Sequence, residues 1–293
     1  MTTLTAVPIS PLPITAAPES GPASFTAPSS ARLTQWLLGG THHGPADRRL
    51  GLRVLRAASW FERAVGLSHG YADRTVSMLR EAGFRQFVDL GSGLPTGNDL
   101  FPPTVVSAGP ESLVIHVDSD PYVIQHGPRL LNQLGNSSRH RFVHADLRHD
   151  MHRLLDGLRP HGLDPDRPAA FLLHNSLPWI THDQDARDVV GAILGWAPPG
   201  SVLSLTHLTA DLCHDRSANA AARCFEKAGL PVRLQTAREI ADLIEEQPLP
   251  WPVVAPGIAP VGLYYPTRSR APVPARDSGA YAAIAIHPEP AHH

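Results

Sequence analysis

Cysteine is nearly absent from this 293-residue chain, which holds two. Cys213 and Cys224 stand eleven apart, without the partner pattern of a zinc site or a disulfide framework. Two small buried residues in a reducing cytoplasm are therefore expected. Long apolar runs are missing as well: no stretch reaches the roughly 18 residues that a membrane-spanning helix needs. A dominant charge is also lacking. The formal net charge is −2 and the pI near 6.8, so there is no electrostatic case for nucleic acid or for an anionic membrane surface. The first residues lack a basic stretch, so no secretory signal is expected. Histidine is plentiful at 17, yet the spacing of metal sites is not there. His42 and His43 are adjacent and point apart on a regular element, and no His-x-x-x-His or His-Glu-x-x-His falls on a clear helix. No metal is expected.

What is there is enough apolar sequence, 42%, for one large domain or a domain with an added lobe. Residues 1–29 are rich in Pro, Thr, Ser and Ala with Glu19 as the one charge, and are expected to form a disordered leader or an arm. Residues 30–83 are helical in pattern. Ser30 caps a short helix ending at Gly39-Gly40, and Pro45 at the first helical position opens another carrying Leu50, Val54 and Leu55. Trp60 to Ala82 forms a third, with Val65, Met78 and Leu79 expected to face inward.

From residue 84 to 293 the pattern alternates. Apolar strands are expected at Gln86 to Leu90, Leu113 to Val117, His140 to Val143, Ala169 to His174 and Val202 to His207, separated by helical segments. That argues an α/β fold, a parallel sheet covered on both faces, with ligands at the carboxyl ends of the strands. An Ala-rich helix is expected after Leu208, ending before Gly229, and a capping box at Thr236 to Glu239 opens another. Val261 to Tyr265 and Ala280 to Ile286 read as two last strands.

The first strand runs into Asp89-Leu90-Gly91-Ser92-Gly93-Leu94-Pro95-Thr96. Glycine at 91 and 93 permits positive φ and a ligand lying against bare main chain. The dinucleotide fingerprint is not met: position 96 is Thr, the third glycine falls late at Gly97, and Pro95 stiffens the turn. Asp118 ends the next strand, where it can hydrogen-bond a ribose diol, and Asp146 follows the third. Asp-x-Gly-x-Gly followed by such acids suits a nucleoside without phosphates, of which S-adenosylmethionine is one.

On these residues the chain resembles the actinobacterial S-adenosylmethionine-dependent methyltransferases formerly grouped as a domain of unknown function. The likeness is carried by Arg32 to Arg48, Gln86 to Thr96, Val117 to Pro121, Ala145 to Arg148 and Ala197 to His207. It implies a class I methyltransferase Rossmann-like fold: a mostly parallel seven-stranded sheet with an antiparallel final strand, helices on both faces, and an N-terminal helical cap. With S-adenosylmethionine as cofactor, Asp89 and the Gly91–Gly93 backbone would hold its amino-acid end. Asp118 would take the ribose and Asp146 the adenine amino group, with Leu147 against the ring. Ser92, Thr96, Ser119, Asn175 and Ser176 are the further expected cofactor contacts.

Transfer of a methyl group requires mostly alignment, and a base only where the acceptor must lose a proton. His174 and His207, ending the fourth and fifth strands, are the catalytic candidates, ahead of His182 and His144. Trp36, His42, His43 and Trp179 are the substrate candidates. The family usually has Lys-Asp-Asn after Gly39-Gly40 and His-Phe after the fourth strand; here stand Thr41-His42-His43 and Pro178-Trp179. Thr34 and Gln35 replace the usual Tyr and Asp. The expected activity is methylation of a small molecule, of the tailoring kind found in secondary metabolism. The alternatives are a non-methylating reaction such as cyclisation or rearrangement, or a cofactor-binding module. The apolar N-terminal segment leaves room for a homodimer.

Overall fold

The computed structural model describes residues 25–95, 107–133, 139–213, 216–265, 273 and 275–288. Three helices lead: α1 (Ser30–Leu37), α2 (Pro45–Ala57) and α3 (Phe61–Glu81). Then come β1 (Gln86–Leu90), β2 (Leu113–Asp118), α4 (Pro121–Gln133), β3 (His140–His144), α5 (Met151–Gly157) and β4 (Ala170–His174). The remainder is α6 (Asp183–Trp196), β5 (Val202–Leu208), α7 (Ser217–Glu226), α8 (Ala237–Glu245), β6 (Ala259–Pro260) and β7 (Ala280–Ile286). The strands form one seven-stranded sheet in the order β3-β2-β1-β4-β5-β7-β6. β1 to β5 pair in parallel, and β7 runs antiparallel to both β5 and β6. This is the Rossmann-like class I architecture that the strand pattern and the resemblance imply.

Alternation along the strands divides the core between the two faces of the sheet. Val88, Leu90, Ile115, Val117, Phe171, Leu173, Leu203 and Leu205 pack with α5, α6 and α8. Phe87, Val114, Ala170, Leu172, Val202 and Ile284 pack with α1, α2, α3 and α7. A strand buried on both faces has no polar side to show, which is why these runs are almost continuously apolar.

Order reverses between β1 and β4, whose neighbours on either side were added in opposite directions. The carboxyl ends of those two strands diverge there and leave a crevice. α1 and α3 line it, and a buried ionic network fixes α1 to α2 and to the segment after β2. Arg32 on α1 pairs with Asp47 on α2 at 3.1 Å, both side chains almost fully buried, and approaches Asp120 after β2 at 3.6 Å. Asp47 also accepts from the Ser29 and Gly44 amides, and the Ser29 hydroxyl donates to Asp120 at 2.8 Å.

Several expected boundaries hold: β1, β7, Pro45 at the start of α2 and the Thr236–Glu239 capping box. Others shift. Ser29, not Ser30, caps α1. Met78 points to solvent while Val76 and Leu79 face the core, because the inward stripe of α3 runs through Ala72, Thr75, Val76 and Leu79. The Ala-rich helix starts only at Ser217, after a turn in which the Asp211 amide donates to the Thr209 hydroxyl. The edge strand is Ala259–Pro260, and 261–265 turn away from the sheet so that Val261 and Tyr264 are buried under it. Thr96, most of the N-terminal leader and residues 266–270 lie outside the described residues. Among the described residues no helix is long and apolar enough to cross a membrane.

Candidate cofactor and acceptor cavity

At the end of β1 the chain turns sharply because Gly91 and Gly93 take φ of +74° and +63°. The Gly91 and Ser92 amides both donate to the Val117 carbonyl, at 2.8 and 3.1 Å, which pins the turn to the end of β2. A β-carbon on Gly91 would lie 2.4 Å from Cβ of Ser176, so strain and lack of space both reserve this position for glycine.

Asp118, buried at the end of β2, organises the neighbouring backbone. One carboxylate oxygen accepts the Gly93 amide and the other the Asp120 amide, each at 2.8 Å. Burial raises its pKa to about 6; those two amides oppose the rise, and the charges of Asp120 and Asp89 add to it. Each oxygen keeps a lone-pair site for a further donor.

Asp146 follows β3 and is more open. Its carboxylate is gripped by the Arg148 guanidinium at 2.5 to 3.1 Å and by the Arg148 amide at 2.9 Å. The Arg148 hydrogen bonds hold its pKa below the ordinary carboxylate value. Leu147 beside it is buried.

After β4, Asn175 adopts φ +58°, the one non-glycine residue with positive φ among those described. Its amide donates to Oγ1 of Thr206 at 2.9 Å, and that hydroxyl donates back to its side-chain oxygen at 3.1 Å. The strained residue is thereby held, and it delivers Ser176 against the glycine turn. Ser176 Oγ is buried with no hydrogen-bond partner among the described residues.

These segments open onto a cavity of about 520 Å³, within the roughly 300–1,000 Å³ usual for small-molecule sites. Asp89, Gly91, Ser92, Gly93, Asp118, Ser119, Asp146, Leu147, Asn175 and Ser176 line one part of it. His174 and Trp179 line the other, with Phe61, Val65, Ser68, His69 and Leu230. Among the described residues, the remaining candidates do not reach the walls. His207 is buried on β5 and spends its Nδ1–H on the Leu208 carbonyl at 2.9 Å, with Glu239, Arg233 and Asp183 as its charged neighbours. Trp36 lies over Gly51 of α2. His42 bonds the Tyr122 hydroxyl at 3.2 Å, and His43 accepts from Arg48 at 3.4 Å.

His116 lines the cavity too, and nothing in a linear reading singled it out. It is the register partner of Asp89, lies 3.6 Å from that carboxylate and 3.0 Å from His140. Burial drives the His140 pKa down to about 3, and His116 beside it adds to the effect. The available signal was a polar residue inside the apolar run of β2. His174 is held near pKa 4, first by burial and further by His69, with Asp89 opposing.

The glycine turn, the unpartnered Ser176 hydroxyl and the acids after successive strands fit an adenosyl ligand carrying a sulfonium and an ammonium. Comparison with known proteins points the same way. Residues 19–288 match the family described as S-adenosyl methyltransferase. The crystal structure of a candidate methyltransferase from Thermobifida fusca YX superposes with a TM-score of 0.79 at 28% identity, covering 92% of this chain and 98% of that one. A duf574 family protein from Streptomyces avermitilis gives 0.78 at 30% identity, covering 90% and 99%. A candidate S-adenosyl-L-methionine-dependent methyltransferase of Mycolicibacterium gilvum (strain PYR-GCK) is 32% identical over 133 residues, spanning 45% of this chain and 41% of that protein. The chain belongs to the S-adenosyl methyltransferase family, and its cofactor is S-adenosylmethionine.

Proposed function

We propose that the chain methylates a small molecule bound beside the cofactor, between α3 and the ends of β4 and β5. The observation that carries this reading is the two-sided cavity: carboxylates and bare backbone at one end, and Phe61, Val65, Trp179 and Leu230 with two histidines at the other. When bound, the cofactor supplies an electrophilic methyl group on a sulfonium. Asp118 accepts from the ribose hydroxyls while its other bonds keep the glycine turn in shape. Asp89 places negative charge near the positively charged end of the ligand, where exclusion of water strengthens the attraction. The Gly91–Gly93 backbone and Ser176 provide a close cradle, and Leu147 packs against the adenine. Arg148 takes up most of the acceptor capacity of Asp146, so a bond from the adenine amino group competes with it.

The apolar walls confine and orient an acceptor, which is the main protein contribution to a displacement on carbon. The test is to incubate protein, cofactor and a panel of small acceptors, following S-adenosylhomocysteine and product mass together. Release of S-adenosylhomocysteine matched by gain of one methyl in place of hydrogen is the expected result. Product formed without that release would replace methyl transfer by a non-methylating reaction. Cofactor binding with neither would reduce the chain to a binding module.

A further inference from the structure

His174 ends a hydrogen-bond relay that runs through two buried hydroxyls to a backbone carbonyl. Its Nε2 lies 2.9 Å from Ser204 Oγ on β5, and that oxygen lies 3.0 Å from the Tyr71 hydroxyl of α3. Tyr71 in turn donates to the Ala283 carbonyl of β7 at 3.3 Å. Tyr71 and Ser204 are fully buried. A carbonyl only accepts, and each hydroxyl carries one hydrogen. With the Tyr71 hydrogen on Ala283, Ser204 donates to Tyr71, and its oxygen accepts from His174. In that arrangement the proton of His174 is on Nε2 and Nδ1 keeps its lone pair; the reverse arrangement, with Tyr71 donating to Ser204 across the shorter 3.0 Å contact, would put the proton on Nδ1.

We propose that Tyr71 and Ser204 are positioning residues that lock His174 in its Nε2–H tautomer, so that Nδ1 takes the proton of an aromatic or enolic hydroxyl on an uncharged acceptor. This rests on the methyl-transfer reading above. The electron pair of the O–H bond stays on the acceptor oxygen and the proton bonds Nδ1. The groups facing the imidazolium so formed are the Asp89 carboxylate, which stabilises it, and His69, which does not. Tyr71 meets the ring edge-on at 5.6 Å.

One observation and one rule of acidity narrow the acceptor. Among the described residues, Arg148 is the one arginine or lysine on the cavity wall, and it is engaged with Asp146. A carboxylate or phosphate on the acceptor would be buried without a counter-charge. Any base takes a proton more readily from a phenol, with a pKa of about 10 as in tyrosine, than from an alkyl alcohol, and the Asp89 carboxylate beside the ring stabilises the imidazolium as it forms.

The test uses the unliganded protein. Long-range proton–nitrogen NMR distinguishes the two imidazole tautomers, and the His174 signals are assigned by their loss in His174→Gln. At neutral pH the Nε2–H pattern is expected. In Tyr71→Phe the Ser204 hydroxyl loses its acceptor, turns to donate to Nε2, and the Nδ1–H tautomer should grow. Ser204→Ala should give a mixture, and Ser204→Thr should restore the original pattern. An Nδ1–H tautomer in the wild type, or no change in Tyr71→Phe, overturns the proposal whether or not methyl transfer is ever observed. With a phenolic acceptor, Ser204→Ala should lower kcat about 10- to 100-fold while KM holds. A raised KM with kcat unchanged, or carboxylates outcompeting phenols as acceptors, also overturns it.

Discussion

The two ends of the cavity are built differently. The end that we assign to the cofactor comes from four short pieces at the carboxyl ends of strands, 89–93, 118–119, 145–148 and 175–176. Its geometry is set largely by main chain, through the amides of Gly91, Ser92, Gly93 and Asp120. The opposite end, which we assign to the acceptor, is assembled from Leu33 and Leu37 of α1, α3, Trp179, Leu208 and 229–231, far apart in sequence. Side chains give it most of its shape. A backbone-built site tolerates few changes, whereas a side-chain wall can be rewritten one residue at a time without disturbing the turn beside it.

The largest expected effect lies at the joint between the two ends. Asp47→Ala leaves Arg32 buried without its closest partner and should lower stability by about 3–5 kcal/mol in urea unfolding. A loss under about 1 kcal/mol would mean that α1 and α2 are not fixed by this pair. Next, Gly91→Ala should cost about 2–3 kcal/mol and abolish cofactor binding. Gly93→Ala should cost only about 1 kcal/mol, since its nearest obstacle is Ala31 Cβ at 3.9 Å. Equal losses at the two glycines would contradict the difference in space.

Asp118→Asn should raise the cofactor Kd about 10- to 100-fold in calorimetry. In the wild type, affinity should fall as pH drops below the Asp118 pKa of about 6, by about tenfold per unit. Stability moves the other way for this group. Its folded pKa lies above the unfolded value of 3.8, so the folded chain binds the extra proton, and the contribution of Asp118 to stability rises as pH falls from 6 toward 4. Affinity unchanged between pH 7 and 5 would remove Asp118 as an ionised acceptor.

On the acceptor side, Trp179→Ala should raise the acceptor KM about tenfold with cofactor Kd unchanged, while His207→Ala should alter neither. A shift in both constants with Trp179→Ala would erase the division between the ends. The smallest change expected is from Arg148→Ala, less than about 1 kcal/mol in stability because the ion pair is exposed. Cofactor affinity should hold or improve as Asp146 is released.

Most of the end assigned to the cofactor could be placed on the cavity from the sequence, because its residues cluster at the carboxyl ends of apolar strands. Asp89, Gly91, Gly93, Asp118 and Asp146 needed only the strand pattern to be placed. The acceptor end depends on which helix lies over which strand, and local spacing carries no trace of that. Trp36 looked exposed to a ligand but is consumed in packing against α2. Both histidines end strands, yet His174 lies on the cavity wall while the ring of His207 is turned to the β5 backbone. His116, Tyr71 and Ser204 were hidden for a related reason: each is a polar residue whose partner lies on another element, and pairing becomes visible only once the strand register is known.

One continuous set of bonds runs from the Gly93 amide through Asp118 to the Asp120 backbone, and from the Asp120 carboxylate to Ser29 and Arg32. The consequence is practical. Calorimetry should register a single melting transition rather than two, and limited proteolysis between α3 and β1 should not yield a surviving C-terminal piece. A shortened expression clone should therefore begin upstream of Phe25, whose ring backs Arg32, and not at the first strand.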